Sequence, residues 1–191
     1  MEIENAPSSS ELEQELKRVR YKRKYQRTLK STIYILITAA AIAVLVATLW
    51  LPVLQIYGSS MTPTLHEGDI VISVKDKNFE QGDIIAFYFG NRVLIKRYIA
   101  GPGAWVDIKD DGTVLVNGEP LDEPYIKQKS FGNCDLELPY QVPEGRYFML
   151  GDDRATSVDS RHSSVGCVSE EQIVGKIVYR VWPFESFGTI K

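Results

Sequence analysis

Formal charge is missing altogether from Ser31 through His66, where no Asp, Glu, Lys or Arg occurs. A surface segment of a soluble domain does not go so long without charge, so this stretch lies apart from the rest. Histidine and cysteine are scarce, two of each in 191 residues. That excludes a usual zinc ligand set and allows one disulfide at most. Only 14 Gly and 9 Pro accompany 44% hydrophobic and 25% charged residues, which excludes a collagen-like or wholly disordered chain. The length suits one ordinary domain with a short appendage, and therefore one active site. A net charge of -3 argues against a nucleic-acid binder, but the charge is uneven: residues 1–30 carry +3 and residues 31–191 carry -6.

Within the uncharged stretch, Ile33 to Leu54 is almost continuously apolar. Twenty-two helical residues at about 1.5 Å each match the thickness of a bilayer core. The run is too long for a cleavable signal sequence and ends in Trp50, an aromatic suited to the membrane interface. We expect an uncleaved anchor over residues 31–54. Lys17, Arg18, Arg20, Lys22, Arg23, Lys24, Arg27 and Lys30 precede it. Such a cluster stays cytoplasmic, which puts residues 55–191 outside the cell membrane in a single-pass arrangement. Glu11 to Lys30 either forms a helix lying on anionic lipid or only sets topology, and Met1 to Ser10 reads as a loose tail.

Beyond the anchor the period changes. Ile70 to Val74, Ile84 to Phe89, Val93 to Ile99, Trp105 to Ile108, Thr113 to Val116, Tyr147 to Leu150 and Ile173 to Trp182 are rich in β-branched and aromatic residues and bounded by turn residues. An all-β outer domain is expected. Asp110-Asp111-Gly112 and Asn117-Gly118 mark hairpin turns, and Gly68-Asp69-Ile70 and Gly82-Asp83-Ile84 look like two turns leading into strands. Lys127 to Pro143 lacks periodicity and reads as a surface excursion. Cys134 and Cys167 both fall outside the membrane, where either a disulfide or separate buried or free thiols are permitted.

Three stretches are candidates for chemistry; read alone, the first also fits a plain loop, the second a strand with a solvated lysine at its end, and the third a solvated turn. In Gly58-Ser59-Ser60-Met61-Thr62-Pro63-Thr64, a Gly-flanked serine in a turn presents its hydroxyl as a nucleophile does, and Met61 either buries the turn or dips into lipid. In Arg92-Val93-Leu94-Ile95-Lys96-Arg97, both faces of a strand are apolar, so Lys96 enters a low-dielectric setting that favours the neutral amine, a competent general base. Gly151 to Arg161 is a polar loop in which Ser157 suits a lysine N–H and Asp159 pairs with Arg161.

Together these stretches resemble the bacterial type I signal peptidases, membrane-anchored Ser/Lys proteases. Ser60-Met61-x-Pro63-Thr64 is similar to their nucleophile motif, Gly68-Asp69-Ile70-Val71 to the following strand, Lys96-Arg97 to the base motif, and Gly151-Asp152-x-Arg154-x-x-Ser157-x-Asp159-Ser160-Arg161 to the last motif. The resemblance covers residues 30 to 183. It implies a signal-peptidase-like β domain with one N-terminal transmembrane helix, Ser60 as nucleophile and Lys96 as base. It further implies that Ser157 orients the Lys96 amine, that Asp159 and Arg161 brace the loop, and that Ile56, Tyr57 and Ile95 line the substrate groove. The implied partners are signal-peptide-bearing preproteins cut after small residues of the Ala-x-Ala type, and the lipid bilayer. No cofactor or metal is implied. The chain departs from the commonest pattern at Asp153, Ala155 and Thr156, so the loop must be hydrogen-bonded differently. Gly58 stands where some members have a serine hydroxyl for the oxyanion, leaving the Ser60 N–H as one donor and the second unassigned.

Three rival readings have discriminating features. A sortase-like transpeptidase needs a nucleophilic cysteine after a Thr-Leu-x-Thr stretch, which Val165-Gly166-Cys167-Val168 does not supply. A Ser/His signal peptidase would use His162 in place of Lys96. An inactive anchored binding domain would have lost Ser60 or Lys96.

Overall fold

The structure, a computed structural model, describes residues 9–76 and 78–190, with the backbone alone for residues 47–50. Most of the expected N-terminal tail and the Trp50 side chain expected at an interface therefore lie outside the described residues. The chain divides into two compact units, Met1–Ala47 and Thr48–Lys191.

One helix, α1 (Ser9–Trp50), takes in both the basic segment and most of the apolar run. No glycine or proline interrupts this span, and its N-terminal half is built from strong helix formers. Up to Val46 it is the one helix, among the described residues, long and apolar enough to cross a membrane. The apolar run extends to Leu54, but the helix stops at Trp50, because Pro52 disfavours helical backbone at the residue before it. Residues Val53–Gln55 instead form a strand, β1.

The second unit is built of antiparallel sheets. The larger contains β1, β2 (Ile70–Val74), β3 (Ile84–Phe89), β4 (Arg92–Ala100), β9 (Arg146–Leu150), β10 (Val168–Ser169), β11 (Ile173–Trp182) and β12 (Gly188–Thr189). Its spatial order is β1-β2-β11-β3-β4-β9-β10, with β12 on β11. The smaller runs β7-β6-β5-β8, from β5 (Trp105–Ile108), β6 (Val114–Val116), β7 (Glu119–Pro120) and β8 (Tyr140–Gln141). The hairpin β6–β7 turns through Asn117 and Gly118, whose positive φ of 54° and 85° gives the twist that a two-residue loop needs. The excursion from Lys127 to Pro143 is irregular except for β8.

The two Gly-Asp-Ile turns are built alike. Asp69 and Asp83 each accept from the backbone N–H three residues earlier, of His66 and Glu80. Each also pairs with β11, Asp69 with Arg180 at 3.2 Å and Asp83 with Lys176 at 2.7 Å. Beneath the Ser60 turn, Ile56, Met61, Leu65, Val71, Ile84, Ala86 and Ile177 form one apolar cluster. Met61 therefore buries the turn. Cys134 and Cys167 are both free.

Candidate active site

Ser60 sits in the turn between β1 and β2, and Lys96 on β4. They are 36 residues apart in sequence, yet Lys96 Nζ lies 2.6 Å from Ser60 Oγ. Burial of Met61 and Leu65 pins the turn from below, with the Leu65 N–H donating to the Met61 carbonyl. Above it, the Asp153 N–H donates to the Ser60 carbonyl at 3.1 Å, tying the serine to the loop after β9.

Lys96 is 3% exposed. Burial holds its pKa below the ordinary lysine value; Asp159 and Asp152 push the other way, and Arg161 adds to the lowering. The sequence led us to expect β4 to be buried on both faces throughout. Only its second half is, because Arg92 and Val93 are exposed and Leu94 and Ile95 are half-buried.

Three buried arginine–carboxylate pairs hold the loop after β9. Arg161 grips Asp159 with two hydrogen bonds, of 2.9 and 2.8 Å, and also donates to the carbonyls of Phe131 and Arg154. Asp159 in turn accepts from the Gly151 N–H. Arg97, next to the lysine, grips Asp152 at 2.8 and 2.6 Å, and Tyr125 stacks over its guanidinium at 3.7 Å. Arg154 pairs with Glu123 and donates to the Gly151 carbonyl. Bidentate geometry satisfies charges that would otherwise be costly to bury. Of the paired groups, Arg97, Asp152, Arg154 and Glu123 were not assigned roles from sequence. Arg97, Asp152 and Arg154 lie within the quoted motifs, whereas nothing around Glu123 signals its role.

Ser157 departs from expectation. Its hydroxyl is buried and, among the described residues, has no hydrogen-bond partner, so the hydrogen bond to Lys96 is not formed. The amine is instead engaged with Ser60. Ser157 nonetheless lies close to Ser60: a Cβ on Gly151 would clash with Ser157 Oγ and fall 2.6 Å from the Ser60 carbonyl oxygen.

Ile56, Tyr57, Gly58 and Ile95 line a cavity of about 60 Å³ together with Ser60 and Lys96. Gly58 has φ 82°, a left-handed conformation that glycine adopts without strain. His162 lies against Ser164 and Asp135. Cys167 is buried, and burial pushes its thiol up to about 11, which suits packing and not nucleophilic attack. No group of three or more His, Cys, Asp or Glu suited to a metal occurs among the described residues.

Residues 29–182 match the family model described as signal peptidase, peptidase S26. The chain belongs to the signal peptidase family. It is therefore a protease, a hydrolase of peptide bonds. Among its relatives is signal peptidase IB of Staphylococcus aureus, 39% identical over 152 residues, which are 69% of this chain and 78% of that protein. Signal peptidase I of Bacillus amyloliquefaciens is 34% identical over 169 residues, 82% of this chain and 86% of the relative. A crystal structure of a signal peptidase I from Enterococcus faecalis V583 is 33% identical, covers 52% of this chain and 97% of its own, and superposes with a TM-score of 0.45. Membership in this family leaves no place for the sortase-like reading.

Proposed function

We infer that this signal peptidase is a membrane-anchored serine endopeptidase of type I that removes signal peptides from exported preproteins with a Ser60/Lys96 dyad. The observation that carries the reading is the 2.6 Å approach of a buried lysine amine to a turn serine. Neutral Lys96 accepts the Ser60 proton as Oγ attacks the scissile carbonyl, and the resulting ammonium returns a proton to the leaving amine. The Ser60 N–H stabilises the oxyanion. Ser157, lying beside the dyad, receives the Lys96 amine once Ser60 has been acylated. Asp159 with Arg161 braces the loop that carries Ser157. Ile56, Tyr57 and Ile95 bound a space that suits small side chains, in keeping with cleavage after Ala-x-Ala.

Residues 31–54 hold the enzyme at the membrane with its N-terminus cytoplasmic and residues 55–191 outside. Ser60 follows the end of that segment by six residues, so a signal peptide embedded in the same bilayer meets the nucleophile at raised effective concentration. The test is incubation of detergent-solubilised protein with a preprotein whose signal ends in Ala-x-Ala, beside Ser60→Ala and Lys96→Ala. Correct-site cleavage by wild type alone is expected. Cleavage retained by Lys96→Ala, with Ser60→Ala inactive, removes lysine as the base.

A further inference from the structure

The first unit carries a feature that the peptidase mechanism does not use. In α1, Arg27, Lys30, Ser31 and Tyr34 line the upper end of a shallow groove that continues along Ile35, Ala39 and Ile42. The lining residues fall in two neighbouring rows spaced by four residues, Arg27-Ser31-Ile35-Ala39 and Lys30-Tyr34-Thr38-Ile42, and so form one stripe on the helix. The groove spans roughly 22 Å of helix at 1.5 Å per residue.

The two ends differ in chemistry. Helical side chains lean toward the N-terminus, so the Arg27 and Lys30 cations reach back from the apolar segment to the level where headgroups lie. Ser31 and Tyr34 add hydroxyls just below. Farther along, Ala39 leaves the groove shallow between Ile35 and Ile42. Thr38 turns its hydroxyl back to the Tyr34 carbonyl at 2.8 Å and so presents a methyl group there. The nearest acidic residues in sequence are Glu15 and Glu67, and Glu15 pairs with Arg18. Arg27 and Lys30 thus belong to a stretch whose charge is of one sign.

We propose that this groove is a binding site for an anionic phospholipid, its phosphate held by Arg27 and Lys30 and an acyl chain lying along Ile35, Ala39 and Ile42. The site rests on the reading of residues 31–54 as a membrane anchor. A guanidinium and an ammonium three residues apart match a phosphodiester bearing a net negative charge, whereas a zwitterionic headgroup brings its own cation. The structure thereby gives part of the basic segment a specific ligand in addition to its effect on topology.

The full chain in neutral detergent is mixed with equal amounts of phosphatidylglycerol and phosphatidylcholine, and bound lipid is counted by native mass spectrometry. Wild type should retain phosphatidylglycerol in roughly fivefold excess, and Arg27→Gln with Lys30→Gln should bring the ratio close to one. Lys17→Gln with Arg20→Gln removes the same charge two turns or more away and should keep the preference, as should Arg27→Lys. Equal retention of both lipids by wild type overturns the site. So does equal loss in the two double variants, which would show diffuse charge attraction. A dimer that dissociates only in Arg27→Gln with Lys30→Gln would assign the groove to a second copy and overturn it as well. Flotation with phosphatidylcholine vesicles separates the two readings: failure of wild type to float overturns the anchor and the site together, whereas flotation without a phosphatidylglycerol preference overturns the site alone.

Discussion

Thr64 donates its hydroxyl proton to Asp152, the carboxylate that Arg97 grips with two hydrogen bonds. It also accepts from Arg97 Nη2 at 3.2 Å, and its carbonyl accepts from Arg180. One side chain thereby ties the Ser60 turn to β4, which carries Lys96, and to the loop of Ser157. Thr64→Val should lower kcat about tenfold with KM little changed, and cost about 1–2 kcal/mol of stability. Thr64→Ser should recover most of both. Steady-state kinetics and thermal melts of the two variants provide the check.

Gly151 is constrained by space and not by φ. A methyl group there meets both Ser157 Oγ and the Ser60 carbonyl oxygen at less than 3 Å. Gly151→Ala should therefore displace the Ser60 turn and remove nearly all cleavage. A variant as active as wild type would show that the loop and the turn move independently.

The Lys96 pKa is lowered chiefly by burial. Activity should thus rise with pH through that lowered value, as the neutral amine becomes available. Stability moves in the same direction. Between the lowered folded value and the ordinary value of about 10.4, the unfolded chain binds a proton that the native protein does not, so unfolding becomes harder as pH rises through this window. Below the lowered value both states are protonated and the full penalty of a buried ammonium remains. Lys96→Met should flatten this part of the stability profile and be more stable than wild type at the acid end, which denaturant titrations across pH will reveal.

The cavity at Ser60 is small, about 60 Å³, and bounded by Ile56, Tyr57 and Ile95, so a methyl group should be accepted there in preference to a phenyl ring. Substrates with Phe at the first position before the cut should go uncleaved while Ala and Gly substrates are processed. A peptide series differing only at that residue tests this, and efficient cutting of the Phe peptide would require a different groove.

Glu123 and Arg154 are each about 1% exposed at the side chain. Removing one partner strands the other, so Glu123→Gln should cost about 3 kcal/mol, whereas Glu123→Leu combined with Arg154→Met should recover much of it. Chemical denaturation of single and double variants measures the difference.

The longer strands were legible in the sequence because burial writes a pattern into them. Ile70–Val74, Ile84–Phe89, Trp105–Ile108 and Ile173–Trp182 have the bounds expected from composition and turn residues. Two-residue strands such as Glu119–Pro120, Val168–Ser169 and Gly188–Thr189 carry no period, and Val53–Gln55 was hidden inside an apolar run. The site divides similarly. The pairing of Asp159 with Arg161 is readable because two positions separate them. Thr64 and Asp152 meet across 88 residues, and Arg154 and Glu123 across 31, distances over which local sequence says nothing about proximity. Ser157 was placed in the right loop but given a bond that it does not make, since its orientation depends on the packing against Gly151.

In the large sheet β11 lies between β2 and β3, although it is the last long strand in the chain. The Ser60 turn leads into β2 on one side of it, and Lys96 lies beyond β3 on the other. Ser60 and Lys96 thus approach to 2.6 Å across a sheet whose central strand, Ile173–Trp182, is the last long one in the sequence, so their closeness is a property of the finished fold and not of the segment that contains them.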